Sequence, residues 1–272
     1  MSVRWSSSTT RPGSRALTLV ELLVVVAIIV VLIAILVPAL RAGRTAARVA
    51  RCLGQMRNIQ QGMFMYATDN RGLLPDVGLP HGGLGFPEQS FITTVKPYCD
   101  NALVLHSPLD DSPHWPSGQG GQGIPVPGTT NTLRVTSYGM NDYLSRTFSP
   151  AAAIDPALAA DRLAKVPSPA ATVMLVCMAT EGEYAGSDHP HVEQWWVNQA
   201  APNLPPVQAA SQLATSAAGG QPKSFDARSN WGFVDGHVAT LPFGDTYLTD
   251  QINRFDPAVA GTFSARTQGG GN

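Results

Sequence analysis

Three hydrophobic–polar patterns divide the chain. In the first, from Leu17 to Leu40, nearly every position is apolar and Glu21 is the single charge. About 24 residues, rising about 1.5 Å each, cross the roughly 30 Å hydrocarbon core of a bilayer as one α-helix. The run is too long for the apolar region of a cleaved secretory signal. It passes through Val37-Pro38-Ala39-Leu40 into an Arg- and Ala-rich segment instead of a small-residue cleavage site, which predicts a retained transmembrane segment. Pro38 removes one helix hydrogen bond and predicts a kink or local melting, which a membrane tolerates where neighbours resupply partners.

The second pattern has helical period. Leu53, Met56, Ile59 (or Gln60), Met63 and Tyr66 recur at spacings of three and four, with Arg51, Gln55, Asn58 and Gln61 on the opposite face. Asp69-Asn70-Arg71-Gly72 supplies a stop, with Gly72 as a left-handed cap. A single helix from about Leu17 to about Asp69 would measure roughly 80 Å. One small domain cannot bury that length, so its first half must sit in lipid or among other copies.

The third pattern, beyond Pro75, is rich in Gly, Pro, Ser and Thr with short β-like runs. Strands are predicted near Leu103–Leu105, Arg134–Met140, Thr172–Met178, Gln194–Asn198, Trp231–Val234 and His237–Pro242. Asp235-Gly236 between two apolar runs predicts a two-residue type I′ hairpin. Ser117–Thr132, Ala151–Ala171 and Ala200–Ser224 read as long loops, with one short helix within residues 155–164. The chain is therefore expected to be α+β: a long N-terminal transmembrane helix packed on a C-terminal antiparallel β-sheet domain with long loops.

Composition narrows the function. The chain has 272 residues, a net charge of −1 and 14% charged residues, which argues against nucleic-acid binding. Arg4, Arg11 and Arg15 precede the apolar run without an acid and favour a cytoplasmic leader. Arg41, Arg44, Arg48, Arg51 and Arg57 compete with that orientation unless their helix packs against other chains. Cys52, Cys99 and Cys177 form no C-x-x-C pair, so a structural zinc site is disfavoured. One disulfide plus a free thiol, or three buried thiols, both fit.

Among the six histidines, His189-Pro190-His191 is the tightest cluster, and with His81, His106, His114, His237, Asp110, Asp111 and Asp188 it is the material for a metal site. The sequence contains neither H-E-x-x-H nor G-x-S-x-G, so the chain is read as no enzyme and no metal is assigned. Trp195 and Trp196 invite a carbohydrate-stacking reading. On a strand they would point to opposite faces, so a platform would need other aromatics.

Ala16-Leu17-Thr18-Leu19-Val20-Glu21 resembles the class III prepilin leader motif: a small residue, a hydrophobic residue, and Glu at the fifth mature position. The departures are Ala16 where Gly is usual and Leu17 where Phe is commonest. The resemblance implies that a prepilin peptidase cuts between Ala16 and Leu17 and N-methylates the new terminus. Glu21 would then pair with a terminal amine, in its own chain or a neighbour, an interaction far stronger in low dielectric than in water.

The segment Cys52 to Pro75, with Met56, Arg57, Ile59, Tyr66, Asp69, Asn70 and Gly72, is similar to a block of pseudopilin-like proteins that end in an H-x9-D-G motif. Ser137-Tyr138-Gly139-Met140-Asn141 resembles a further block of that family. Asn230, Phe233, Asp235, Gly236 and His237 match its last motif, but Phe225 stands where the motif has His. Ser107-Pro108-Leu109-Asp110 resembles the family's C-P-S-D block with Cys replaced by Ser107, which leaves Cys99 as a candidate partner for Cys52. Related secretion pseudopilins bind calcium in acidic loops; here Asp110, Asp111 and Asp235 would be the ligands.

The resemblance implies a pilin-like organisation: residues 1–16 a leader, 17–70 the long helix (17–40 transmembrane, 41–70 amphipathic), 71–266 a β-rich body and 267–272 a disordered tail. It implies a structural pilin or pseudopilin subunit, held by one span in the inner membrane with its body in the periplasm or otherwise extracytoplasmic. Its partners would be prepilin peptidase, other copies, minor pseudopilins, an inner-membrane assembly platform and the bilayer. They would build a type IV pilus-like fibre or a type II secretion pseudopilus. The alternative is an anchored extracytoplasmic binding module for glycan or protein that does not polymerise.

Overall fold

A computed structural model describes residues 18–79, 88, 90–99, 105–128, 133–196 and 204–263. In chain order the elements are α1 (Leu19–Asp69), α2 (Phe91–Val95), β1 (Tyr138–Met140), α3 (Pro150–Ile154), β2 (Val173–Cys177), α4 (Leu204–Gln212), β3 (Arg228–Phe233), β4 (Val238–Pro242), β5 (Tyr247–Thr249) and β6 (Ile252–Asn253), joined by 3-10 turns and irregular chain. The fold is α+β with long loops, as the pattern predicts. The chain divides into two units, Met1–Ala46 and Ala47–Asn272.

In the first unit, α1 is apolar and exposed along its whole length from Leu19 to Leu40. It runs through Pro38 without a break in the helix, so the proline causes no local melting. This stretch is long and apolar enough to cross a membrane.

In the second unit, the rest of α1 packs on a four-stranded antiparallel sheet of order β1-β2-β3-β4. Cys52, Met56, Ile59 and Met63 are fully buried, as the three–four spacing predicts for the last three. Gln55, expected on the solvent face, is also buried. It accepts a 2.7 Å hydrogen bond from the Tyr138 hydroxyl, and that partner makes its burial affordable. Gln60 Nε2 donates to the Phe233 carbonyl at 2.7 Å. A Cβ on Gly232 would crowd Gln60, so glycine there lets helix and strand approach. The helix ends as expected: Gly72 is left-handed, with φ 79°, and its N–H bonds to the Ala67 carbonyl at 2.7 Å.

Every residue of β2 is buried. Its register against β3 shifts between Val173 and Leu175. Met174, Leu175 and Cys177 face the core under α1, while Val173 and Val176 face a second core. That second core is aromatic: Trp195 lies 5.0–5.8 Å, ring to ring, from Phe243, Tyr247 and Phe255. A sheet covered on both faces explains why β2 reads as a continuous apolar run.

Several expectations change. Within the strand expected at Gln194–Asn198, the described residues are not extended: Val192–Trp196 forms a 3-10 helix with Trp195 buried and Trp196 half-buried, so the pair presents no stacking platform, and residues 197–198 lie outside the described residues. The expected loop 200–224 contains α4, and residues 150–165 hold α3 and two 3-10 turns. The β3–β4 connection is not a two-residue type I′ turn. Gly236 alone has positive φ (92°), its N–H bonds to the Phe233 carbonyl, and the Phe233 N–H bonds to the His237 carbonyl. This is a three-residue loop closed by a left-handed glycine. The predicted strand at Leu103–Leu105 and the tail 267–272 fall wholly or mostly outside the described residues.

Candidate functional site

The N-terminal turn of α1 carries the chemistry that the apolar run raised. Thr18 is its N-cap. Glu21 N–H donates to Thr18 Oγ1 (3.2 Å), while Glu21 Oε2 accepts from the Thr18 N–H and hydroxyl (2.8 Å each). This is a capping box, T-x-x-E, in which two side chains satisfy orphan backbone donors reciprocally. The signature was present in the sequence at Thr18 and Glu21, and the macrodipole alone does not describe it. The carboxylate thus has a partner within its own chain before any other chain arrives. Ala16 and Leu17, the residues of the expected cut, lie outside the described residues.

Residues 11–37 match the prokaryotic N-terminal methylation motif. The match takes in Ala16, Leu17, the Thr18–Glu21 cap and most of the exposed apolar helix. The N-terminus is therefore of the type IV pilin-like prepilin kind, the mark of a pilin- or pseudopilin-type precursor that prepilin peptidase processes. The motif and an apolar helix long enough to cross a membrane together support single-pass anchoring at the N-terminal end. Comparison with curated proteins and with solved structures finds no match.

In the second unit, the residues expected from the sequence take other roles. Asp110 is not open to calcium: Arg134 Nε lies 2.6 Å from its Oδ2, the Ser137 hydroxyl donates to the same oxygen, and the Ser112 N–H bonds to Oδ1. Arg134 is itself fully buried and donates to the carbonyls of Met178, Ala179 and Ala185. Asp111 is exposed. Asp235 sits in the hairpin turn with its Oδ1 2.5 Å from His237 Nδ1, and the His237 ring stacks on Phe233. Phe225 packs beside Phe243, so the position where the motif has His serves the aromatic core. Asp188 accepts the N–H groups of Gly78, Leu79 and Phe91 and pairs with His189 at 3.0 Å.

Cys52 on α1 faces Cys177 on β2, Sγ to Sγ 3.9 Å, and both are free thiols. Cys99, the candidate partner, instead contacts the Asn58 carbonyl. The hydrogen bond from Cys177 is the main cause that pulls the Cys52 thiol down to about 6, while the same contact with Cys52 and then burial push Cys177 up.

One further cluster was half legible. Asp142, His191 and Glu193 each bring a ligand atom within 4.8 Å of the other two. His191 belongs to the His189-Pro190-His191 cluster, whereas Asp142, just past the Ser137–Asn141 block, and Glu193 stand in no motif that the sequence displays. Burial first, and then the Glu193 carboxylate, hold Asp142 far above the usual carboxylate range. Burial raises Glu193 too, but hydrogen bonds with His191 and Asp142 bring it below its ordinary value.

Proposed function

We propose that the protein is a structural subunit of a pilin or pseudopilin fibre and not an enzyme. Prepilin peptidase removes residues 1–16 at Ala16–Leu17 and methylates Leu17. The apolar helix waits in the inner membrane, copies assemble through it, and the body lies on the extracytoplasmic side. The observation that carries this reading is a methylation motif whose helix leaves every side chain from Leu19 to Leu40 exposed, with one carboxylate in its first turn. Apolar surface of that extent needs lipid or other copies.

Glu21 is then the docking group. Cleavage leaves an amine at Leu17, and a neighbour's amine competes with the Thr18 cap for the carboxylate. In the full-length chain expressed with prepilin peptidase, Glu21→Ala should insert and be cleaved, with methylated Leu17 found by mass spectrometry, but should fail to enter fibres. Normal assembly of that variant overturns the docking role, and an unmethylated Leu17 in the wild type overturns the processing. Crosslinks between copies along residues 17–50 distinguish a polymer from a lone anchored binding module.

A further inference from the structure

We propose that Asp142, His191 and Glu193 form a binding site for a borderline divalent transition cation, zinc foremost. Asp142 opens the 3-10 turn after β1, and His191 and Glu193 lie at the start of the 3-10 helix 192–196. The two segments are about fifty positions apart in sequence and are brought together by the fold.

The cluster by itself would be only a gathering of charges. A ligand is indicated by what the carboxylates lack. Asp142 is completely buried and its carboxyl faces that of Glu193; among the described residues no N–H or hydroxyl group reaches full hydrogen-bond geometry to either Asp142 oxygen or to the buried Glu193 Oε2. Buried carboxylate oxygens are costly unless paired or bound to metal. Two carboxyl groups left to share a proton beside an imidazole are a set of acceptors that a cation would satisfy in the proton's place.

The donor set chooses the class of ion. One imidazole nitrogen with two carboxylates suits zinc-like cations, whereas calcium and magnesium prefer oxygen alone. A tetrahedral ion with bonds of about 2.1 Å holds its ligands about 3.4 Å apart. His191 Nδ1 and Glu193 Oε1 already stand at 3.1 Å, and the whole set lies within 4.8 Å. The His191 and Glu193 side chains are 16% and 35% exposed, which leaves an entry path and a place for water as fourth ligand.

The supports are rigid. Asn141 Nδ2 donates to the carbonyls of Val173 and Phe255, fixing the turn that carries Asp142. Gln212 Oε1 on α4 accepts the His191 N–H and Trp195 Nε1–H, fixing the other side. A bound ion would therefore fasten the 3-10 segment to the end of β1 and hold Trp195 in the aromatic core.

The test uses the full-length chain in detergent, stripped with EDTA and titrated with zinc chloride by calorimetry, with bound metal counted by mass spectrometry. One zinc per chain is expected, together with a higher melting temperature in circular dichroism. Asp142→Asn, nearly isosteric, should weaken binding by at least the roughly 10–100-fold lost when even an outer-shell partner is removed. His191→Gln, on a partly exposed side chain, should do the same and serves should Asp142→Asn not fold. Absence of zinc binding, binding unchanged in both variants, or tighter binding of calcium than of zinc each overturns the proposal.

Discussion

Arg134 is a buried cation whose every role is local. It neutralises Asp110 and ties together three carbonyls from two stretches of chain. Breaking such a pair leaves a charge buried alone, at a cost of about 3–5 kcal/mol. Arg134→Met should lower the unfolding free energy by that amount in urea titrations, and adding Asp110→Asn should return part of it. The sequence could not announce this. Asp110-Asp111 resembles a cation-binding loop until Arg134, 24 residues on, is seen to occupy it. At the other end of the chain, Thr18→Val removes the side-chain cap while keeping Glu21. About 1 kcal/mol of first-turn stability should be lost, read as faster amide exchange at residues 19–22. Unchanged exchange would mean that the capping box holds nothing.

Among the elements, those with a clean period were legible. The three–four spacing placed Met56, Ile59 and Met63 on the buried face of α1, and the apolar run 172–178 contained β2. What was missed had no period to show. α4 hides in an Ala-, Pro- and Gln-rich stretch and is held by contacts to the 3-10 helix beside it. The Trp195–Trp196 pair looked like a strand because aromatic residues favour strands, yet tertiary packing on Phe243, Tyr247 and Phe255 decided otherwise. Asp142, His191 and Glu193 share no motif spacing, since loops and not one element bring them together. The β3–β4 hairpin depends on Gly236 at φ 92°. Gly236→Ala adds a Cβ in the left-handed region and 3.1 Å from Phe64, and should cost about 1–2 kcal/mol in thermal melts.

At the scale of the whole molecule, the Cys52–Cys177 contact links α1 to the sheet across 125 positions of chain. In the reduced protein it makes stability depend on pH. Cys52 has a folded value of about 6 against its ordinary 9.0, so its contribution is full above about 9, declines as pH falls and is gone below about 6. Cys177, pushed up, contributes below about 9 and loses that contribution as pH rises further. Melting temperatures under reductant should climb from pH 6 to 9 and then fall, and Cys177→Ala should flatten the climb. Where a disulfide oxidant takes two electrons and two protons from the pair during folding, a bond across a loop of that length should add about 4–5 kcal/mol. Peptide mapping without reductant should then recover Cys52 joined to Cys177 and Cys99 free. The reducing cytosol keeps thiols apart, and the space beyond the inner membrane joins them. Under the proposed export of the body, the joined sulfurs would be a chemical passport, stamped only on copies that have made the crossing.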